Sequence, residues 1–364
     1  MAIKKSKVLI VATSRKTRGG ITSVVKSHQA GDVWRNYDCR WLETHIDKSF
    51  LHKLMYFLKS FIIYLFILPS YNLIHIHTSE PPSALRKTIF LFVAYLFHKK
   101  TIVHFHSFSP KTTINSRYKM VYSYLFRKAD TILVLSEYWK KELLDAFSLE
   151  NKIKVLYNPC TEPDIKKKHN RKRQILYAGT INARKGYADL IKAFARISGK
   201  FPAWKIVFAG NGEIEQARLL AKELKIDTQV IFLGWINGIE KSKAFQEASV
   251  FCLPSYAEGF PMAVLDAWAY GLPVVTTPVG GLPDVLINGK NALVFQPGDI
   301  HELAQQLHKI IENRELRMAI SEESIYLSTN LFNQSVICLQ LDNIYNEMFK
   351  VEKITHKYNL TGKV

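Results

Sequence analysis

Short apolar runs alternate with longer stretches of helical spacing along the whole chain. In the first half, the apolar runs predict strands over residues 7–13, 72–77, 101–106, 131–136 and 153–158. In the second half, they predict strands over residues 174–178, 205–209, 230–233, 250–253, 274–276 and 292–295. Because strands separated by helices form parallel sheets, the pattern predicts two doubly wound α/β domains.

A stretch without this alternation divides the two sets of strands. Residues 159–173 read PCTEPDIKKKHNRKR, two prolines followed by a basic run with nothing apolar to bury, which predicts a linker. Rossmann-like domains are therefore expected over residues 1–165 and 171–338. The tail at about 340–364 has helical spacing and is expected to pack back on the first domain. Open parallel sheets bind ligands beyond the carboxyl ends of their strands, which predicts an active site in a cleft between the two sets of strand ends.

Composition narrows the class of protein. With 364 residues, 48% of them apolar, the chain can build a packed core in each domain. The four cysteines are scattered, with no pair or Cys/His cluster at zinc-ligand spacing, which favours a reducing compartment and no structural metal. The apolar run after Lys4 and Lys5 is too short for a signal peptide. These features predict a cytoplasmic protein.

The net charge of +19 is concentrated in the first half of the chain. Residues 1–170 hold 28 Lys and Arg against 12 Asp and Glu, whereas residues 171–364 hold 22 against 19. A positive surface attracts polyanions, so the first half is expected to face an anionic partner, either nucleic acid or an anionic lipid leaflet.

Two apolar stretches bear on that choice. Residues 54–68 read LMYFLKSFIIYLFIL and residues 89–97 read IFLFVAYLF. Each falls short of the roughly 20 apolar residues of a spanning helix. Two interpretations stay open: these are core helices of an α/β domain, or part of their surface lies in the interfacial layer of a membrane. Basic residues mixed with apolar and aromatic ones suit lipid better than DNA, so we expect a peripheral protein at the inner face of the cell membrane and no nucleic-acid partner.

The most informative stretch spans residues 254–286 and reads PSYAEGFPMAVLDAWAYGLPVVTTPVGGLPDVL. A strand is followed by a loop with Glu258 and by a helix with Asp266 about one turn inside it. Backbone N–H groups at a helix N-terminus suit a phosphate, and two carboxylates suit sugar hydroxyls. The alternative is that Glu258 only caps the helix and that Asp266 lies on a solvated face.

This stretch resembles the E(x7)E segment of the retaining family-4 GT-B glycosyltransferases, and the resemblance extends over nearly the whole chain. The RGGI run at residues 18–21 is similar to the family's glycine loop near the donor phosphates. The VHFHS run at residues 103–107 is similar to a strand end whose histidine, here His106, lies beside the donor sugar. The resemblance implies a GT-B fold and a retaining transferase that uses a nucleotide sugar.

The resemblance also points to the loops of the second domain. Residues 178–186 read AGTINARKG, similar to a segment whose arginine and lysine hold the donor diphosphate. Lys185 matches that lysine, but Thr180 stands where the arginine usually does, and Arg184 is a candidate to compensate. Asp266 replaces the glutamate that binds the ribose in the family, which keeps the charge but shortens the reach. The resemblance implies His106 and Glu258 as catalytic residues. The donor-binding residues it implies are Gly19, Gly20, Thr180, Arg184, Lys185, Gly210, Trp235, Glu258, Gly259, Phe260, Pro261, Asp266 and Gly280.

No DxD motif occurs in the sequence, so neither a metal nor another cofactor is expected beside the donor, a UDP- or GDP-sugar. The family implies transfer of a hexosyl or N-acetylhexosaminyl group to a saccharide or a polyprenyl-linked saccharide in assembly of capsule, exopolysaccharide or lipopolysaccharide. Two other classes remain: a GT-B sugar-nucleotide epimerase, which needs no acceptor, and a non-catalytic protein that binds a membrane surface or nucleic acid.

Overall fold

The computed structural model describes residues 6–149, 152–161 and 171–360, the last ten of these by their backbone alone. The chain forms two compact units. The first comprises residues 1–159 together with residues 334–364, and the second comprises residues 160–333.

The first unit is built on a six-stranded parallel sheet. Its strands are β1 (Val8–Ala12), β2 (Arg40–Glu43), β3 (Leu73–Thr78), β4 (Lys100–Phe105), β5 (Thr131–Val134) and β6 (Ile153–Val155). Their order across the sheet is β2-β1-β3-β4-β5-β6. The helices are α1 (Gly20–Ala30), α2 (Asp32–Asn36), α3 (Phe50–Ile67), α4 (Pro81–Leu96), α5 (Lys119–Lys128) and α6 (Glu137–Phe147).

Helices cover both faces of this sheet, and each face carries an apolar core. The strand side chains that point to one face, such as those of Ile74 and Val103, pack with Tyr64 of α3 and Phe90 of α4. Side chains of the other parity pack against the last helix of the chain, which contributes Ile337, Leu341 and Tyr345 from its span Gln334–Leu360. The C-terminal helix thus belongs to the first unit.

The second unit repeats the architecture. Its strands are β7 (Gln174–Ala178), β8 (Lys205–Ala209), β9 (Val230–Gly234), β10 (Val250–Leu253), β11 (Val274–Thr276) and β12 (Leu293–Val294), in the order β12-β11-β10-β7-β8-β9. Its helices are α7 (Tyr187–Ala195), α8 (Ile214–Glu223), α9 (Gly238–Glu247), α10 (Met262–Ala269), α11 (Ile300–Glu312) and α12 (Arg314–Tyr326), and the C-terminal helix described above is α13. All its strands pair in parallel, as expected for strands joined by helices.

The predicted fold class is confirmed, and every predicted strand is present within a few residues of its expected ends. The sequence pattern missed β2, because this strand is only four residues long and begins with the exposed side chain of Arg40. Most of the predicted linker, residues 162–170, lies outside the described residues.

The two interpretations of the apolar stretches separate in the structure. Helix α3 is not a core helix: by length and composition the stretch Phe50–Ser70 could cross a membrane, and only 17% of its most apolar part is buried. The side chains of Ser60 and Tyr64 face the core, whereas those of Phe50 and Phe66 are 81% exposed. Helix α4 is intermediate, with one buried side and one exposed apolar side.

Candidate active site

A buried carboxylate lies at the carboxyl edge of the second sheet, in the loop that follows β10. Glu258 is 7% exposed. Its Oε1 accepts hydrogen bonds from Lys185 Nζ at 2.7 Å and from Ser255 Oγ at 2.7 Å. Arg184 Nη1 lies 3.6 Å from its other oxygen. Glu258 does not cap the following helix, because the residue before α10 is Pro261 and no side chain caps that end.

Lys185 and Arg184 reach this carboxylate from a single turn of 3₁₀ helix, Ala183–Lys185, after β7. The turn is held by the side chain of Asn182, whose Oδ1 accepts from the Lys185 N–H at 3.1 Å. It ends at Gly186, which has a φ of +68°, and a Cβ added there would lie 2.0 Å from the carbonyl oxygen of Pro254. Glycine is therefore required for the β7 loop to approach the β10 loop this closely.

The electrostatics of this cluster favour an anion. Burial by itself would raise the pKa of Glu258, but the charges of Lys185 and Arg184 and the hydrogen bonds from Lys185 and Ser255 outweigh it, and the pKa is lowered. Glu258 is thus ionised at neutral pH. Two cations against one carboxylate leave the cluster with an excess positive charge. A lysine ammonium has three donor hydrogens, of which one is directed to Glu258, so Lys185 can also reach a phosphate oxygen.

Glycines let the neighbouring loops close on the same edge. Gly280, after β11, has a φ of +62°, and a Cβ there would lie 2.0 Å from the carbonyl oxygen of Glu258. The next residue, Gly281, donates its N–H to Gly259 O at 2.7 Å. On the other side, a Cβ at Gly210 would lie 1.8 Å from the carbonyl oxygen of Gly179. Four predicted loop segments therefore meet at one edge of the sheet.

Asp266 has a different partner from Glu258. It lies in the fifth position of α10 and is 4% exposed, so it is not on a solvated face. Its Oδ2 is 2.5 Å from Nζ of Lys241 on α9, while its Oδ1 is buried and has no hydrogen-bond partner within the described residues. A buried carboxylate oxygen without a donor is costly, and a ligand hydroxyl would satisfy it.

The remaining predicted residues of the second unit divide between surface and core. Thr180 is exposed after β7, and its carbonyl oxygen accepts from Tyr177 Oη at 2.8 Å. Trp235 is 43% exposed directly after β9. Phe260 points inward and packs on Phe332, with 5.3 Å between the ring centroids, and Pro261 is buried. Phe260 could therefore meet a donor only through its backbone.

In the first unit, Gly19 and Gly20 form the start of α1. Gly19 is extended, and a Cβ there would have nothing within 4 Å, so sterics do not demand glycine at this position. The helix N-terminus has no side-chain cap and no acidic residue in its first turn. Its N–H groups and the helix dipole thus suit an anion.

His106, at the end of β4, is the last member of a row of four histidines on one face of the sheet. The other three are His75 and His77 on β3 and His104 on β4. His106 Nε2 lies 2.9 Å from His77 Nδ1, and its ring centroid lies 4.1 Å from that of His104. Burial, followed by the nearby His28, lowers the pKa of His106 to about 3. His106 is therefore a neutral imidazole at physiological pH.

Three of these histidines, His75, His77 and His104, place ligand atoms within 4.8 Å of one another, a spacing that could accommodate a metal ion. Their rings, however, are stacked: the interplanar angle is 21° between His75 and His77 and 15° between His75 and His104. Ring nitrogens bind metals in the plane of the ring, so stacked rings do not aim them at a common point. His75 Nδ1 instead lies 2.7 Å from the Tyr345 hydroxyl.

Sequence reasoning missed several residues that hold the site together. Ser255, Asn182 and Lys241 each bind a predicted residue, and Tyr187 donates to Glu213 at 3.0 Å between the β7 and β8 loops. Asn182 and Ser255 stand inside the segments 178–186 and 254–286, each three residues before a predicted residue, and this position could have suggested a role. Lys241 and Tyr187 stand outside those segments.

Family models match almost the entire chain. The model described as Glycosyltransferase Family 4 matches residues 12–161, and the model described as Glycosyl transferases group 1 matches residues 161–325. The boundary between the two matches falls at the boundary between the two units.

Curated relatives are similar over part of their length. A capsular polysaccharide biosynthesis glycosyltransferase, CapM of Staphylococcus aureus, is 27% identical over 61% of this chain and 63% of its own length. A lipopolysaccharide 1,6-galactosyltransferase of Escherichia coli is 27% identical over 57% of this chain and 58% of its own. The chain thus spans about three fifths of the length of these relatives.

A solved structure is similar over nearly its full length. Alr3699/HepE of Anabaena in complex with UDP-glucose superposes with a TM-score of 0.76, covering 94% of this chain and 99% of that one at 17% identity. At that identity the likeness concerns the fold alone, two Rossmann-like sheets of the GT-B type.

Proposed function

This chain is a GT-B glycosyltransferase of the group 1 and family 4 type, and we propose that it transfers a sugar from a nucleotide diphosphate sugar to a saccharide or lipid-linked saccharide, with retention of configuration. The observation that carries the proposal is the buried Glu258 carboxylate, which lies between Lys185 and Arg184 at the ligand-binding edge of the second sheet.

The charges of this cluster match the parts of a nucleotide sugar. The excess positive charge of Lys185 and Arg184 suits the diphosphate, and Arg184 supplies the cation that is lost at Thr180. Glu258, kept ionised by its neighbours, would accept hydrogen bonds from hydroxyls of the donor sugar. The unpaired Oδ1 of Asp266 would accept from the ribose. Trp235, exposed at the end of β9, would lie near the base.

The reaction breaks the bond between the anomeric carbon and the phosphate oxygen and forms a bond from that carbon to an acceptor hydroxyl oxygen. The acceptor proton passes to the departing phosphate oxygen on the same face of the sugar, so configuration is retained. Lys185, Arg184 and the N–H groups at the start of α1 stabilise the negative charge that develops on the diphosphate. His106, as a neutral imidazole, accepts or donates a hydrogen bond at the sugar without adding charge.

This arrangement needs no divalent ion, since protein cations neutralise the leaving group. Donor turnover is therefore expected to be unchanged by a chelator. An activity lost in chelator and restored by Mg²⁺ or Mn²⁺ would contradict this part of the proposal.

The proposed acceptor is lipid-linked, as in assembly of a capsule or a lipopolysaccharide, and the proposed place of work is the inner face of the cell membrane. The relatives named for capsule and lipopolysaccharide synthesis support a role in the assembly of such polysaccharides. The excess of Lys and Arg in the first half of the chain supports an anionic lipid surface.

The test is release of nucleoside diphosphate from a panel of UDP-, GDP- and ADP-sugars by the purified protein, with and without a membrane lipid extract. We expect lipid extract to stimulate release from one donor. Lys185→Met and Glu258→Gln should each lower kcat/KM by about 10²- to 10³-fold, the loss typical of removing one stabilising group for the developing charge.

A second ion pair of the same unit provides the control. Lys172 Nζ lies 2.8 Å from Glu247 Oε2, a geometry close to that of Lys185 and Glu258 but at the surface. Lys172→Met and Glu247→Gln should leave turnover unchanged. Conversion of the nucleotide sugar into an isomer without acceptor would indicate the epimerase instead, and no turnover of any donor would refute catalysis.

A further inference from the structure

Helix α3 exposes a continuous apolar face. Eight large apolar side chains on it are at least 40% exposed, namely Phe50, Leu51, Leu54, Met55, Leu58, Ile62, Leu65 and Phe66. At 100° per residue they fall within a little less than half of the helix circumference. Ser60 and Tyr64 are buried outside this arc, whereas Phe57 and Phe61, at its edge, are half-buried against the core. The solvent side of a surface helix is normally polar, so this face is unusual.

Helix α4 extends the same surface. Leu85, Ile89, Phe92 and Leu96 follow one another at helical spacing, and each is between 42% and 54% exposed. The two helices are in direct contact, because Tyr64 Oη donates to Phe90 O at 2.9 Å and Phe61 packs edge-on against Phe90. We call the exposed side chains of α3 and α4 the apolar surface. Contiguous patches of this kind mark a membrane or a protein partner.

The charges around the apolar surface favour an anionic lipid. From residue 48 to residue 129 the sequence has twelve Lys and Arg but a single acidic residue, Glu80. Lys128 Nζ lies 4.2 Å from the ring centroid of Tyr95 on α4, and Lys99 Nζ donates to Pro69 O at the end of α3. Lys53 and Lys59 lie on α3 itself. Cations bordering apolar and aromatic side chains are typical of helices that lie in the headgroup region.

The connections of α3 exclude a spanning arrangement. The helix joins β2 to β3, and both strands pair with β1 in the same sheet. A helix crossing the bilayer would put its two ends on opposite sides of the membrane, which would separate β2 from β3. Its buried side chains, Ser60 and Tyr64, would also leave the core.

We propose that α3 is a monotopic membrane helix: it lies in the plane of an anionic bilayer with its apolar face inserted, assisted by the exposed stripe of α4. This deepens the proposed function, since it names the surface that brings the enzyme to a lipid-linked acceptor. Tyr56 of α3 donates to Glu43 Oε2 at 2.8 Å, and Glu43 is the last residue of β2. An inserted α3 therefore holds the ligand-binding edge of the first sheet beside the lipid headgroups.

The first test is co-sedimentation of the full chain with vesicles of phosphatidylcholine alone or mixed with phosphatidylglycerol. The variant Leu51→Glu/Met55→Glu places two carboxylates on the inserted face, at side chains 63% and 61% exposed, so the core is untouched. Its partition onto mixed vesicles should fall by at least about tenfold. The matched control, Leu219→Glu/Met318→Glu, changes side chains 68% and 52% exposed in the second unit and should bind as the parent does.

Insertion itself is measured with a reporter. Phe66→Trp adds an indole at the far end of the same face, and its fluorescence should shift to the blue and be quenched by brominated lipids beyond the background of the unmodified chain. If Leu51→Glu/Met55→Glu binds vesicles as well as the wild-type chain does, or if brominated lipids do not quench the indole reporter of Phe66→Trp, α3 does not insert. Only electrostatic attraction to the membrane surface would then remain.

The remaining outcomes separate this inference from the catalytic one. If the wild-type chain fails to bind vesicles but forms a dimer, and Leu51→Glu/Met55→Glu dissociates that dimer, a second copy of the chain covers the apolar surface. This result would refute the proposal. Donor turnover without lipid should be equal in that variant and in its parent. Vesicle binding without turnover of any donor would refute the proposed function alone, and turnover without vesicle binding would refute insertion alone.

Discussion

The two units have the same architecture, a six-stranded parallel sheet between helices, but their ligand-binding edges carry opposite chemistry. In the second unit this edge holds ionised groups, with Glu258 between Lys185 and Arg184. In the first unit β3 and β4 end in neutral, stacked histidines, and the excess charge lies elsewhere, in a basic surface around exposed apolar helices. The shared fold therefore decides where ligands bind, while side chains decide which ligands these are.

The comparison extends to the outer helices. Helices α3 and α4 of the first unit present apolar side chains in continuous stripes, whereas the exposed apolar residues of the second unit are spread over helices, strands and loops, for example Leu219 on α8, Leu233 on β9 and Met318 on α12. Scattered apolar residues are normal on a soluble surface, but continuous stripes are not. One unit thus carries a cluster of buried charged groups, and the other an extended apolar surface.

The largest expected difference between the units is in their response to acid. Burial lowers the pKa values of five histidines of the first unit and keeps them neutral, namely His28, His75, His77, His104 and His106; in all but His28, neighbouring histidines lower the pKa further. The pKa falls to about 4 for His28 and to about 3 for His106. Below the ordinary pKa of 6.5 the unfolded chain binds protons that the folded unit does not. Each histidine then removes about 1.4 kcal/mol of stability per pH unit, until its folded pKa is reached.

Calorimetry between pH 7 and pH 5 should accordingly show two unfolding transitions. The melting temperature of the first unit should fall steeply as the pH is lowered, whereas that of the second unit should not, because its described histidines, His301 and His308, are at least partly exposed. His104→Phe removes one buried histidine of similar size and should reduce the steep dependence by about 1.4 kcal/mol per pH unit. Equal acid sensitivity of both transitions would contradict this account of the histidine row.

The next effect concerns the glycine that lets the charged loops close. Gly280→Ala should strain the loop of Glu258 by about 1–3 kcal/mol, because its φ is positive and the new Cβ would lie 2.0 Å from a carbonyl oxygen. We expect a lower melting temperature and weaker donor turnover. Gly289→Ala is the matched control, since its φ is +79° but nothing lies within 4 Å of the added Cβ. Turnover lost equally in both variants would mean that φ alone, not the contact with Glu258, matters.

A smaller effect is expected at the carboxylate of α10. Asp266→Ala should weaken binding of the nucleoside diphosphate by about tenfold, the loss of a hydrogen bond to a charged group. Asp266→Glu, which restores the reach of the related enzymes, should bind at least as well as the parent. Titration calorimetry with UDP and GDP measures both, and unchanged affinity in Asp266→Ala would remove Asp266 from the donor site.

The smallest expected effect concerns Thr180, which stands in the loop after β7 at the position where the resembled segment usually has an arginine. Thr180→Arg introduces a guanidinium at an exposed position, so folding should be unaffected. If Arg184 already supplies the missing cation, donor affinity should improve by no more than a few-fold, in the range of an exposed ion pair of about 0.2–1 kcal/mol. A gain of a hundredfold would show that Arg184 does not compensate.

Much of the site was predictable because its parts are local in sequence. The glycines and charges of the β7 and β10 loops stand within short motifs, and an apolar strand before each loop locates it at the sheet edge. The side chain of Phe260 was not predictable in this way, since its inward direction depends on the contact with Phe332, 72 residues along the chain. The partner of Asp266 was missed for the same reason, as Lys241 belongs to another helix and to no motif.

The sequence by itself determined the class of fold, the family and the positions of eleven of the twelve strands found among the described residues, because hydrophobic periodicity and loop motifs are properties of neighbouring residues. Only the tertiary structure decided which apolar side chains remain exposed on the surface rather than buried in the core. Helices α3 and α4 both carry apolar runs in sequence, yet the sheet has a finite face to cover: α4 buries seven of its side chains, whereas α3 buries only Ser60 and Tyr64. The same packing stacked four histidines into a neutral row and brought Arg184 and Lys185 to one carboxylate, since each of these arrangements joins residues from separate strands and loops.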